Sequence, residues 1–83
     1  MKFFVYILES DINGSFYIGQ TQNISTRLQY HNSGKNRSTK SKRPWKVIFT
    51  LEVSTRAEAM KIEKMIKSWK KRDAILKFIK ENQ

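Results

Sequence analysis

Apolar residues fall along this chain in six segments whose spacing changes from one to the next. In the first, Phe3, Phe4, Val5, Tyr6, Ile7 and Leu8 are consecutive between Lys2 and Glu9. A continuous run rich in aromatic and β-branched residues predicts a strand covered on both faces. Asp11-Ile12-Asn13-Gly14 interrupts the pattern. Its Asn-Gly pair accepts positive φ at two successive positions, as a type I′ hairpin turn requires. Ser15 to Gln20 returns as a second strand, so Tyr6 and Tyr17 are expected on neighbouring antiparallel strands, in a register the sequence leaves open. Gly19 inside that strand marks either a close backbone approach or a departure from the sheet.

The period then lengthens. Asn23 is a suitable N-cap for a helix to about Asn32, with Ile24 and Leu28 as its inner stripe and Gly34 as the stop beyond it. Arg27 and His31 form a second i, i+4 pair on one face. Lys35 to Arg43 contains no apolar residue and predicts a mobile loop closed by Pro44. Trp45 to Val53 alternates roughly as a third strand. Thr55 and Glu58 have the spacing of a capping box, opening a helix through Trp69. Ala59, Ile62, Ile66 and Trp69, with Met65 beside them, form its core stripe. Asp73 is expected to cap a last helix that packs Ile75, Leu76, Phe78 and Ile79 inward. The expected architecture is α+β: a small three-stranded antiparallel sheet flanked by helices, in the order β-β-α-β-α-α. It forms a single domain over residues 1–83.

Charge changes the picture from fold to partner. Seventeen basic residues against seven acidic give a net charge of +10 and a pI near 10.2. A field of that sign on so small a body attracts polyanions, of which nucleic acid is the commonest. The absence of cysteine excludes disulfides and thiolate metal sites. The opening MKFFVYIL is too short, and lacks the small-residue cleavage site, to read as a signal peptide. No stretch approaches the roughly 20 apolar residues of a membrane span. The expectation is a cytoplasmic protein that binds neither membrane nor small-molecule cofactor.

Each chemically interesting side chain has an ordinary structural reading when taken singly. Strand tyrosines fill a core edge and reach water with their hydroxyls. Arg27 could be a solvated helix residue, and His31 a cap or surface residue. Glu63 could pair with Lys67 at i, i+4. Among the seven acids, however, Asp11 belongs to a turn and Glu58 and Asp73 to caps, leaving Glu63 alone in mid-helix beside the core stripe. No DxD, DxE or His/Asp cluster exists, which argues against a two-metal site. One carboxylate, with water and phosphate as the other ligands, suits a single Mg²⁺.

Together these residues resemble the GIY-YIG nuclease superfamily, the module of the repair nuclease UvrC and of certain phage homing endonucleases. Phe4-Val5-Tyr6 stands where the family has Gly-Ile-Tyr, and Tyr17-Ile18-Gly19 is intact. The gap between the two motifs, Arg27 in the following helix and Glu63 in the later one also match, and the likeness covers essentially the whole chain. It is most similar to the small stand-alone bacterial members. The resemblance implies a metal-dependent endonuclease that hydrolyses DNA phosphodiester bonds, structure-directed or of low specificity. In it, Tyr6 and Tyr17 surround the attacking water and scissile phosphate, with Tyr17 favoured to take the proton. Arg27 grips the phosphate, His31 contacts it or assists proton transfer, and Glu63 binds Mg²⁺ or Mn²⁺. A phenol is a poor base at neutral pH, and a neighbouring guanidinium favours its charged form.

The sequence departs from the family at Phe4 and Val5. It also has Gln20 where several relatives have lysine, and Lys70-Lys71-Arg72 where many have asparagine. A catalytically weak or inactive nucleic-acid-binding module of the same fold is therefore the alternative, and a binder of acidic protein a third. Lys35, Arg37, Lys40, Lys42, Arg43, Lys70 and Lys71 are the expected phosphate contacts, which position a substrate without reading its sequence.

Overall fold

The computed structural model describes residues 2–83. Its elements are β1 (Phe3–Ser10), β2 (Phe16–Thr21), α1 (Ile24–Asn32), β3 (Trp45–Val53), α2 (Arg56–Trp69) and α3 (Arg72–Glu81), with one 3₁₀ turn at Lys40–Lys42. The sheet order is β2-β1-β3, and both outer strands are antiparallel to β1. The almost unbroken apolar run therefore becomes the central strand, where both faces need cover.

Those two faces feed two separate clusters. Phe3, Val5 and Ile7 of β1 pack with Ile18, Phe49, Ala59, Ile66, Ile75 and Ile79, the layer built by α2 and α3. Tyr6, Leu8 and Trp45 are buried on the opposite face, with Tyr17, Val47 and α1's Ile24 and Leu28 against them. A register shift between Ile7 and Leu8 lets Ile7 face Phe49 while Leu8 faces Val47. Because β2 and β3 both run against β1, α1 and α2 begin at the same end of the sheet, where β1 starts.

Several local expectations are corrected. The hairpin is not a two-residue type I′ turn: of its residues only Gly14 has positive φ, at 73°. The loop closes instead through Gly14 N donating to Ser10 O (2.9 Å) and Ser10 N to Ser15 O (2.8 Å). Ser10 Oγ accepts from Ile12 N at 3.1 Å, so a buried hydroxyl does the work assigned to Asn13. Asp73 is not the cap of α3. Lys71 holds that position without a side-chain hydrogen bond, and Asp73 lies inside the first turn, where its charge suits the helix dipole. Asn23 and Thr55 cap α1 and α2 as expected, accepting from Thr26 N and Glu58 N. In α1 the fully buried residue is His31, with Ile24 and Leu28 only half-buried. Met65 and Leu76 are exposed, since each falls just outside the stripe that faces the sheet.

The basic segment is a loop with one short 3₁₀ turn, and it is hydrogen-bonded to the fold at several points. Thr39 at its centre is wholly buried, and its carbonyl accepts from Trp45 Nε1 at 2.9 Å. Asn32 brackets the segment, accepting from Trp45 N (2.6 Å) and donating to Trp45 O (3.1 Å). Ser10 Oγ donates to Lys42 O at 2.5 Å. Hydrogen-bonded at both ends and in the middle, the segment exposes Lys35, Arg37, Lys40 and Arg43 to solvent and leaves Lys42 half-buried.

Candidate active site

The register brings the two motif tyrosines to one face. Tyr6 lies opposite Gly19, and Tyr17 opposite Leu8, so the two phenols are diagonal neighbours with ring centroids 6.4 Å apart. Gly19 is required by space rather than by φ. A Cβ there would lie 2.5 Å from Tyr6 Oη and 2.7 Å from its Cζ, so the ring rests directly on the glycine backbone.

His31 completes this layer from α1. Its ring centroid is 4.6 Å from that of Tyr17, and its Nε2 is 3.1 Å from Tyr6 Oη. It is 1% exposed, and its Nδ1 is 3.1 Å from Thr39 Oγ1. Thr39 Oγ1 also reaches Asn36 O at 3.4 Å, the outlet for its own proton. The hydroxyl therefore accepts from His31 Nδ1–H, Nε2 is left as acceptor, and Tyr6 donates to it. Burial, and then the charge of Arg27, push the His31 pKa below its usual value, which keeps the ring neutral. Burial foremost, and then the neighbouring Tyr17, push the Tyr6 phenol upward, against a lowering by Arg27. Tyr6 is thus a held O–H donor, whereas Tyr17 is half-buried with its hydroxyl in no hydrogen bond among the described residues.

Arg27 lies one helical turn before His31, exposed, with its guanidinium 5.4 Å from the Tyr30 ring centroid. It faces a cleft of about 620 Å³ that Gln20, Thr21 and Asn23 also line. Glu63 comes from α2, on the far side of the sheet. It lines a second cleft, of about 700 Å³, with Gln20, Lys61, Lys64 and Lys67. Gln20 belongs to both, so the guanidinium and the carboxylate open on either side of one β2 residue, and both act electrostatically on Tyr6. Lys67 Nζ donates to Glu63 Oε2 at 2.7 Å, the i, i+4 pair anticipated as the ordinary reading.

The basic residues divide. Lys35, Arg37, Lys40 and Arg43 are exposed on the pinned segment, and Lys71 is exposed between α2 and α3. Lys42 and Lys70, 28 positions apart in sequence, line one cleft of about 420 Å³ with Lys67 and Arg72. Lys67 also borders the Glu63 cleft, so this cationic surface continues to the candidate site. Arg72 is consumed structurally: it donates to Glu9 Oε2 (2.8 Å) and to Gly14 O, and lies 4.2 Å from the Phe16 ring centroid.

Comparison with known proteins identifies the family. The model of the GIY-YIG catalytic domain matches residues 2–77. The chain belongs to the GIY-YIG family. Among relatives of this GIY-YIG domain, a UPF0213 protein of Streptococcus pneumoniae serotype 4 is 40% identical over 83 residues, which cover 99% of this chain and 82% of the relative. One from Syntrophus aciditrophicus is 41% identical over 83 residues, covering 98% and 93%. The solution NMR structure of a UPF0213 protein from Bacillus halodurans superposes with a TM-score of 0.61 at 31% identity, covering 96% of this chain and 84% of that one. The family is nuclease-type, and its Tyr-Ile-Gly motif here places Tyr17 beside His31 and Gly19 beneath Tyr6.

Thr39 is the residue the sequence did not reveal. One hydroxyl among three in a run of cations carries no signal, and only the fold shows that it reaches the imidazole.

Proposed function

We propose that this GIY-YIG domain is a metal-dependent endonuclease hydrolysing DNA phosphodiester bonds, structure-directed or of low sequence specificity. The observation that carries this reading is the packed layer of Tyr6, Tyr17 and His31, on which Arg27 and Glu63 act electrostatically from clefts at either side of Gln20. Arg27 binds the scissile phosphate as a two-pronged donor and offsets the charge that grows on it. A water attacks phosphorus and one P–O ester bond breaks. Tyr17, whose hydroxyl is in no hydrogen bond among the described residues, relays the water's proton, taking it as its own O–H proton passes to solvent, and the leaving oxygen takes a proton from solvent in turn. Tyr6, held by neutral His31, keeps oxygen lone pairs free to orient that water. Thr39 fixes the imidazole tautomer and so acts as a positioning residue.

Among the described residues no three of His, Cys, Asp or Glu cluster, so no all-protein metal cage is present. A single carboxylate in an open cleft fits an ion that keeps most of its waters. Glu63 is the residue that would hold Mg²⁺ or Mn²⁺, which when bound supplies charge neutralisation at the leaving oxygen. Lys35, Arg37, Lys40, Lys42, Arg43, Lys70 and Lys71 contact the substrate backbone in this reading, and the cleft that Lys42 and Lys70 share supports it. A second reading, a nucleic-acid-binding module with weak or no catalysis, is favoured by the Lys67 ammonium seated on Glu63.

Nicking of supercoiled plasmid in Mg²⁺ or Mn²⁺ separates them. Wild type should cleave at least about a hundredfold faster than Arg27→Ala, a loss typical of one transition-state donor, and than Glu63→Ala. Equal rates for all three proteins would leave the binding module as the function.

A further inference from the structure

The cleft beside Arg27 contains a second guanidinium that none of the roles above employs. Arg56, the first residue of α2, lines it from the opposite side of the sheet to α1. The remaining surface is neutral: Gln20, Thr21, Asn23 and Thr26 contribute amides and hydroxyls, and no acid lines the cleft. Neither arginine has an ion pair among the described residues. The acid next to the start of β1, Glu52, is taken by Lys2 at 3.8 Å. Each guanidinium is instead poised over an aromatic ring, Arg27 over Tyr30 at 5.4 Å and Arg56 over Phe3 at 5.5 Å. Stacking of that kind restrains the planar fork while leaving its N–H donors free. Arg72 shows the contrast: also stacked, on Phe16, it spends its donors on Glu9 and Gly14 O. Two restrained, uncommitted forks in one concave and otherwise neutral space make a site with two positive charges and no negative one, which suits an anion.

We propose that Arg56 and Arg27 form a two-guanidinium clamp on the nucleic-acid backbone, Arg56 holding a phosphate next to the one bound by Arg27. The clamp rests on the nuclease-type reading of the site, since it takes Arg27 to bind a backbone phosphate. It extends that reading by fixing the direction of the bound strand. The strand passes from the Tyr17 side across the end of β2 toward the first turn of α2, rather than along α1. Arg56 makes no contact with the tyrosines or His31, so it is a binding residue only.

The test is binding without metal, in EDTA, by fluorescence anisotropy of a labelled DNA oligonucleotide, as duplex and as single strand. Arg56→Ala should bind roughly tenfold more weakly at low salt and reduce the slope of log affinity against log salt by about one. Arg56→Lys, which keeps the charge but loses the fork, should recover the slope and only part of the affinity. Lys80→Ala, which removes a cation outside the cleft, should leave both unchanged. Replacing the backbone phosphates one at a time by neutral methylphosphonates should reveal one position that weakens wild type but not Arg56→Ala. Affinity and slope equal to wild type in Arg56→Ala would overturn the clamp and leave the nuclease reading intact. Failure of wild type to bind either oligonucleotide at low salt would overturn both. Tenfold weaker binding with no plasmid nicking by wild type would uphold the clamp and reject the nuclease.

Discussion

Gly19→Ala is the most direct probe of how the motif glycine supports the site. The new methyl would sit 2.5 Å from Tyr6 Oη, 2.7 Å from Cζ and 3.1 Å from Cε1, so the obstacle is a rigid aromatic ring. Tyr6 is 3% exposed and packed in the cluster with Leu8 and Trp45, so it has little room to retreat. Overpacking of this kind costs about 1–3 kcal/mol. If the ring swings away, the 3.1 Å bond to His31 Nε2 breaks and leaves a buried acceptor unpaired, at about 1–3 kcal/mol more. The expected total is about 2–5 kcal/mol, a fall in Tm of about 10–30 °C for a domain of this size. Thermal and urea unfolding followed by circular dichroism measure it, with Tyr6→Leu and the double variant closing a mutant cycle. The double variant should be less destabilised than the sum of the singles, because the shorter side chain removes the clash. Additive effects, or a Gly19→Ala protein within about 0.5 kcal/mol of wild type, would refute the close approach of ring to backbone.

Two further outcomes follow from the buried layer. Thr39→Val keeps the shape of the side chain but removes the partner of His31 Nδ1–H. It should cost about 1–3 kcal/mol in urea unfolding. It should also change the imidazole ¹⁵N shifts from the single Nδ1–H tautomer of wild type, which a merely packing role for Thr39 would not do. The pH dependence has two limbs. The His31 pKa is lowered by burial, so its neutral form stabilises the fold above the unfolded value of about 6.5, and that contribution is lost as pH falls through the folded value. Tyr6 is raised by burial, so its contribution is complete below about pH 10 and is lost as pH rises beyond it. Urea midpoints should therefore be flat from about pH 7 to 9 and fall on both sides, and His31→Gln should flatten the acidic limb.

What the sequence made legible was whatever depended on local pattern. The central strand is written in an unbroken apolar run and the long helix in a period of 3.6, and caps at Asn23 and Thr55 mark where two helices begin. The hairpin formed as expected but its turn type did not, because Asn13-Gly14 carries the signature of a tight turn whereas the buried hydroxyl of Ser10 holds a wider one closed. Asp73 failed by position: capping preferences cannot distinguish an acid at the cap from one in the first turn, and both suit the helix dipole. Tyr6, Tyr17, His31 and Arg27 could be gathered early because they lie within 25 positions of one another on adjoining elements. Their contacts could not, since the diagonal of the two tyrosines depends on a register set by the sheet. Thr39 and Arg56 were invisible because each matters through a contact that no spacing encodes: Thr39 reaches His31 across an aperiodic loop, and Arg56 stacks on Phe3, remote in sequence.

The chain has two tryptophans, and the sheet separates them. Trp45 is bonded through its indole nitrogen to Thr39 O and lies 6.3 Å from the Tyr17 ring, beneath the cationic segment. Trp69 stands on the other layer, 5.4 Å from Phe78, where α2 meets α3. Each half of the molecule thus carries its own intrinsic fluorophore. A shift in Trp45 emission with Trp69 unchanged marks rearrangement of the segment over the imidazole while the helical layer stays intact. The converse marks loosening of the α2–α3 pair alone. Single Trp45→Phe and Trp69→Phe variants separate the two signals, so binding and unfolding can be followed in one cuvette without attaching a dye.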